Sequence, residues 1–133
     1  MTRVAILDDY QGVALRLADW ASLPPGVEVV VFQDHAAGED RVAARLADFD
    51  VVVAMRERTP FSASLLAGLP RLRLLVTTGM RNASIDVRAA ADRGVLVCGT
   101  AGLPYPTAEL AWALILSLVR HVPREDRATR QGR

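Results

Sequence analysis

Few side chains in this sequence can do chemistry, and the most suggestive stretch is Leu74-Leu-Val-Thr-Thr-Gly-Met-Arg-Asn-Ala-Ser-Ile-Asp86 continuing to Cys98. It predicts a buried strand, a loop opened by Gly79, a short helix capped by Asp86 and stopped near Gly94, then a second buried strand. In parallel sheets ligands sit in the crevice beyond the carboxyl ends of the strands. The loop from Thr77 to Ser84 leaves such an end, so a small-molecule site should be lined by it. Elsewhere the candidates are weaker. Asp8-Asp9 resembles half of an acidic metal pocket, but that chemistry needs an acid after the third strand, where Met55-Arg56 stand, and a lysine. All 16 basic residues are arginine, which excludes Schiff-base chemistry and a phosphate-loop lysine. Asp8-Asp9 is therefore read as a turn and helix start. Cys98 ends a strand and reads as a small buried hydrophobe. His35 falls in a polar loop and should be solvated, and His121 near a helix end should complement its dipole. No Cys, His, Asp or Glu cluster has metal-ligand spacing.

The elements that must position these residues follow from apolar patterning. Val4–Leu7, Val27–Phe32, Val51–Ala54, Leu72–Val76 and Val95–Cys98 are short apolar runs without in–out alternation, as in strands covered on both faces. Between them, apolar residues at helical spacing predict helices over Val13–Trp20, from Gly38 to Phe49, after Thr59-Pro60 and over Asp86–Arg93. Thr59 before Pro60 fits an N-cap followed by proline at the first helical position. Five β–α units predict an α/β fold with a five-stranded parallel sheet and helices on both faces; local pattern does not determine the strand order, for which a doubly wound 2-1-3-4-5 arrangement is the working guess.

Composition narrows the partners. At 133 residues, 51% hydrophobic and 23% charged, the chain can bury a proper core. A net charge of +1 gives no reason to expect nucleic acid or an anionic membrane. One cysteine fits a reducing compartment, no secretory signal is visible and no apolar run reaches the 18 residues of a membrane span, so a cytoplasmic location is expected.

The closing helix departs from the pattern. From Thr107 to Val122, apolar residues including Leu110, Trp112, Leu114, Ile115 and Leu118 cover nearly the whole circumference. Such a helix wants protein on every side. It predicts either a helix linking two domains or a self-associating dimer helix. The reading divides the chain into a sheet domain over 1–106, the linking helix over 107–122 and a polar tail over 123–133.

Here the residues carry a resemblance. Ile85-Asp86, Ala89-Ala90, Arg93-Gly94-Val95, Pro104 and Ala108-Glu109-Leu-Ala-Trp-Ala-Leu-Ile-Leu-Ser-Leu-Val-Arg120, preceded by Arg56, Thr59 and Leu72 to Gly79, resemble the D-2-hydroxyacid dehydrogenases, among them D-3-phosphoglycerate dehydrogenase. The resemblance covers essentially the whole chain and implies the flavodoxin-like, substrate-binding domain of that family. It implies an NAD- or NADP-dependent hydride transfer on a 2-hydroxy or 2-oxo acid by the intact enzyme, and a homodimer.

The family's dinucleotide fingerprint G-x-G-x-x-G is absent, since Gly94, Gly99 and Gly102 lack its spacing. Its catalytic Arg, Glu and His belong to or follow the nucleotide-binding domain, so no catalytic residue carries over; neither His35 nor His121 matches. The fragment is expected to bind no cofactor and to be inactive alone. What carries over is a grip on the substrate carboxylate: Arg56, and the loop Thr78-Gly79-Met80-Arg81. Consecutive N–H groups in a glycine-opened turn suit an anion, and a guanidinium at a strand end suits a two-toothed carboxylate pair. Arg56 also reads as a simply solvated cation. Two departures stand out: Arg81 where the family often has a second glycine, and Ala83-Ser84 where it often has Asp-Asn. Arg81 would add a second cation suited to a larger or more acidic substrate. The alternative is a free-standing flavodoxin-like binding or dimerisation module without catalysis.

Overall fold

The computed structural model describes residues 1–133. Strands β1 (Thr2–Ile6), β2 (Val27–Val31), β3 (Val51–Ala54), β4 (Leu74–Thr77) and β5 (Leu96–Gly99) form one parallel sheet of order β2-β1-β3-β4-β5. Val4 pairs with Val51, Val51 with Leu74 and Leu74 with Leu96, so these four lie in one row across the sheet. The predicted order is the observed one. Helices α1 (Glu39–Leu46), α2 (Ala63–Ala67) and α3 (Val87–Asp92) fill the crossovers after β2, β3 and β4.

Ala5, Val52 and Leu75 point to the helix-covered face and are fully buried with Leu46, Phe61, Leu65, Leu66 and Ala90. Burying a Leu or Phe side chain contributes about 1.5–3 kcal/mol, so this layer dominates the stability of the sheet domain. The α3 start is as expected, with the Asp86 carboxylate accepting the Ala89 N–H at 2.9 Å.

The other face differs from expectation. Instead of a helix over Val13–Trp20 there are two 3₁₀ turns, Ala14–Arg16 and Trp20–Ser22. The Ala14 carbonyl that an α-helix would offer to Ala18 accepts instead from the Leu17 N–H and from Trp20 Nε1, at 3.3 and 2.9 Å. A tryptophan that closes on the backbone six residues back cannot coexist with a regular helix there. The three α-helices of the sheet domain thus gather on one face, and Leu96 on the other is 62% exposed.

A second correction concerns α2. Its N-cap is Ser62, whose Oγ accepts the Leu65 N–H at 3.1 Å. Thr59 is displaced because Phe61 is held extended against Ile85: the Phe61 N–H donates to the Ser84 carbonyl and the Asp86 N–H to the Phe61 carbonyl.

The chain divides into two compact units, Met1–Ala101 and Gly102–Arg133. The second contains α4 (Pro106–Val119) and α5 (Val122–Arg130), with His121 between them in the left-handed region at φ 54°. Most of the segment expected to be a polar tail is therefore helical, and an Asp126–Arg130 ion pair one turn apart supports it. No helix is long and apolar enough to cross a membrane.

Candidate substrate-acid site

β3 and β4 end side by side, and their loops are stitched together. Leaving β3, Arg56 takes φ 47°, a left-handed conformation that costs a side-chain-bearing residue about 1 kcal/mol or more. Three bonds hold it. The Arg56 N–H donates to Thr78 Oγ1 at 3.0 Å, Asn82 Nδ2 donates to the Arg56 carbonyl at 2.6 Å, and Arg58 N–H closes the turn onto the Met55 carbonyl at 3.2 Å.

The guanidinium lies over Gly79. A Cβ placed on that glycine would stand 3.4 Å from Arg56 Nη1 and 3.6 Å from Cζ, and its φ of 113° is one that other residues rarely adopt. Arg56 makes no ion pair within the chain, and neither does Arg81. Arg58 is engaged, stacked on Tyr10 at 4.6 Å. Neither arginine after β3 forms an ion pair, but Arg58 is turned onto Tyr10 while Arg56 lies beside the glycine turn.

The loop's N–H groups divide in two. Thr78 N–H is spent on the Ala54 carbonyl at 3.0 Å and Gly79 N–H on Thr100 Oγ1 at 2.9 Å. The N–H groups of Met80 and Arg81 find no acceptor in the chain. The concavity expected over Thr78–Arg81 is therefore narrowed to its second half. Met80 and Arg81 are exposed and, with Thr77, Asn82, Ile85 and Gly99, line a cavity of about 350 Å³. Arg56, Thr78 and Gly79 lie outside this lining, so the cavity and the guanidinium flank the loop rather than share one chamber. Gly99 permits the packing: a Cβ there would meet the carbonyls of Gly79 and Met80 at 2.8 and 2.9 Å.

Residues to which the sequence assigned no part in the site form bonds near this edge. Asp8, read as a turn residue, is buried at φ 56° and accepts Thr59 Oγ1 at 2.7 Å and bonds His35 Nδ1 at 2.7 Å. His35, expected in solvent, is thus half-exposed with one ring nitrogen engaged. Asp9 does serve as a start signal, its carboxylate accepting the Val13 and Ala14 N–H groups. Asn82 was missed altogether. Its one visible signal was the Asn-Ala-Ser spelling of an Asx turn, realised as Ser84 N–H donating to Asn82 Oδ1 at 2.9 Å. Cys98 is a free, partly buried thiol in β5, and His121 sits between α4 and α5. No three His, Cys, Asp or Glu side chains gather to hold a metal.

Comparison with known proteins identifies the family of the fold. Residues 4–130 match the family model "D-isomer specific 2-hydroxyacid dehydrogenase, catalytic domain". A glyoxylate reductase of Korarchaeum cryptofilum is 32% identical over 108 residues, covering 80% of this chain and 32% of that protein. A phosphoglycerate oxidoreductase from Vibrio cholerae has the same fold with a TM-score of 0.79 and 40% identity, over 100% of this chain and 42% of that one. A putative D-3-phosphoglycerate dehydrogenase from Ralstonia solanacearum gives 0.79 and 37%, over 99% and 40%. The chain spans between about a sixth and a third of the length of the curated relatives it matches and about two fifths of these structures. With the match over nearly its full length and the shared fold in agreement, the chain belongs to the D-isomer specific 2-hydroxyacid dehydrogenases and corresponds to the substrate-binding, or catalytic, domain of that family.

Proposed function

We propose that this domain holds the carboxylate of a 2-hydroxy or 2-oxo acid, as the substrate half of an NAD(P)-dependent dehydrogenase. The observation that carries the reading is the unpaired Arg56 guanidinium held against the Gly79 turn at the carboxyl edge of the sheet. A guanidinium there supplies two parallel donors to a carboxylate, and the free N–H groups of Met80 and Arg81 supply further donors within the same loop. Arg81, beside the 350 Å³ cavity, is placed to meet a second acidic group on the substrate.

The residues present do not fit a dinucleotide. The turn after β1 carries Asp8 and Asp9, whose charge opposes a pyrophosphate, and no strand here runs into the glycine spacing that such a group needs. The nicotinamide would supply the hydride, held by a part of the enzyme outside these residues, along with the general acid–base and the catalytic arginine. This domain contributes binding and orientation of the acid. In the same reading α4 faces that other part, and the intact enzyme is a cytoplasmic homodimer.

The test is a titration of the chain with oxamate, an unreactive 2-oxo acid analogue, followed by amide and arginine side-chain NMR. Shifts centred on Arg56 and on Gly79 to Arg81, abolished in Arg56→Ala, are the expected result. Shifts elsewhere, or an unchanged affinity in Arg56→Ala, overturn the assignment. Mixing the chain with NADH and a panel of 2-oxo acids should give no oxidation; turnover would refute the division of labour.

A further inference from the structure

Asn82 ties the ends of β3 and β4 together at the site, and the acid grip described above gives it no contact with the substrate. Its Nδ2 donates to the Arg56 carbonyl at 2.6 Å and to Thr77 Oγ1 at 2.9 Å, while its Oδ1 accepts the Ser84 N–H at 2.9 Å. The amide orientation is dictated by these partners, because a carbonyl can only accept and an N–H can only donate. Every donor and its acceptor oxygen are thus engaged. Two of the partners are fixed points: Thr77 is the buried last residue of β4, and Ser84 passes its carbonyl to Phe61 of the core. The third, Arg56, sits in a left-handed conformation that its own side chain disfavours.

We infer that Asn82 is a positioning residue: it pins Arg56 in its left-handed turn and so aims the guanidinium at the Gly79 loop. A backbone held in a sparsely populated region persists only while its surroundings over-determine it. The Thr78 bond to the Arg56 N–H and the Asn82 bond to the Arg56 carbonyl restrain the strained residue directly, on its opposite sides, while the Arg58 bond to the Met55 carbonyl closes the turn around it. With the carbonyl released, the peptide after Arg56 can rotate back to the ordinary region and the guanidinium leaves Gly79. The effect on affinity rests on the reading of Arg56 as the carboxylate grip; the effect on Arg56 itself does not.

The informative variant is Asn82→Asp, equal in size, which sets a carboxylate oxygen against the Arg56 carbonyl where a donor stood. The measurements on the full chain are the backbone order parameter of Arg56 from NMR relaxation and the dissociation constant for oxamate. In the native chain Arg56 should be rigid, with an order parameter near about 0.85, falling below about 0.6 in the variant. Oxamate affinity should fall about tenfold. Val95→Ala, which thins the buried core at the opposite end of the sheet, controls for general destabilisation and should move neither quantity. Asn82→Ser, which keeps a smaller donor, should recover part of both. An Arg56 that stays rigid in Asn82→Asp, or one equally loosened by Val95→Ala, overturns the inference. If the native chain binds no oxamate yet Arg56 loosens only in the Asn82 variants, the acid grip fails and the positioning role stands.

Discussion

Replacing Gly99 by alanine isolates what close packing does at the site. Gly99 does not have a positive φ, so the substitution brings no backbone strain and its whole cost is contact. The new Cβ would stand 2.8 Å from the Gly79 carbonyl oxygen, 2.9 Å from that of Met80 and 3.0 Å from the Met80 Cα, where ordinary contact begins near 3.4 Å. All three atoms are backbone, so no flexible side chain can swing aside. The Gly79–Met80 loop must retreat by about half an ångström, against the 2.9 Å bond from Gly79 N–H to Thr100 Oγ1 and the return bond from Thr100 N–H to the Gly79 carbonyl at 3.1 Å. Overpacking of this sort costs about 1–3 kcal/mol. For a domain of this size that is a fall in Tm of about 4 °C per kcal/mol. Gly102→Ala is the matched control, with open space around its Cβ and no positive φ, and should be neutral within about 0.5 kcal/mol. Urea unfolding followed by circular dichroism gives both values. A Gly99→Ala variant as stable as Gly102→Ala, with the amide shifts of Gly79 and Met80 unmoved, would refute the argument that this glycine sets the loop's approach to β5.

Three further outcomes follow from single contacts. Thr59→Val keeps the shape of a buried residue but leaves the buried Asp8 carboxylate one donor short, and should cost about 1–3 kcal/mol in urea unfolding. Asp50, buried at the amino edge of the sheet, has its carboxyl held below the ordinary value of 3.8, first by the Arg3 N–H at 2.8 Å and then by Arg71. A depressed folded-state pKa gives stability that is complete above about pH 5 and is lost as pH falls through the region below about 4. Asp50→Ala should therefore cost about 1–3 kcal/mol at pH 7 and flatten the acid limb of a stability–pH curve. Trp20→Phe removes the indole bond to the Ala14 carbonyl and should cost about 0.5–1.5 kcal/mol, read by thermal unfolding.

The strands were readable because short apolar runs such as Val51–Ala54, set between turn and helix signals, mark a chain of β–α units. Their order is not a property of the runs themselves and is fixed by pairing across the sheet. The Asp86 cap and the Gly79 turn were readable for a similar reason: each is a residue acting on its own immediate backbone. Where the local spelling misled, a partner distant in sequence or a competing local bond took over. Thr59 spells a helix cap, yet its hydroxyl goes 51 residues back to Asp8 and the cap falls to Ser62. The apolar spacing from Val13 to Trp20 spells a helix, yet an indole bond to Ala14 diverts a carbonyl the helix requires. At the site, sequence supplied the arginine and the glycine as types, but not that Arg58 would turn onto Tyr10 while Arg56 lay over Gly79. Nor did it mark Asn82, whose role exists only because parallel pairing of β3 with β4 brings residues 56 and 82 together. Periodicity and caps are properties of neighbours along the chain, whereas a binding edge is made where separate strands end at the same height, and that meeting is decided by register across the sheet.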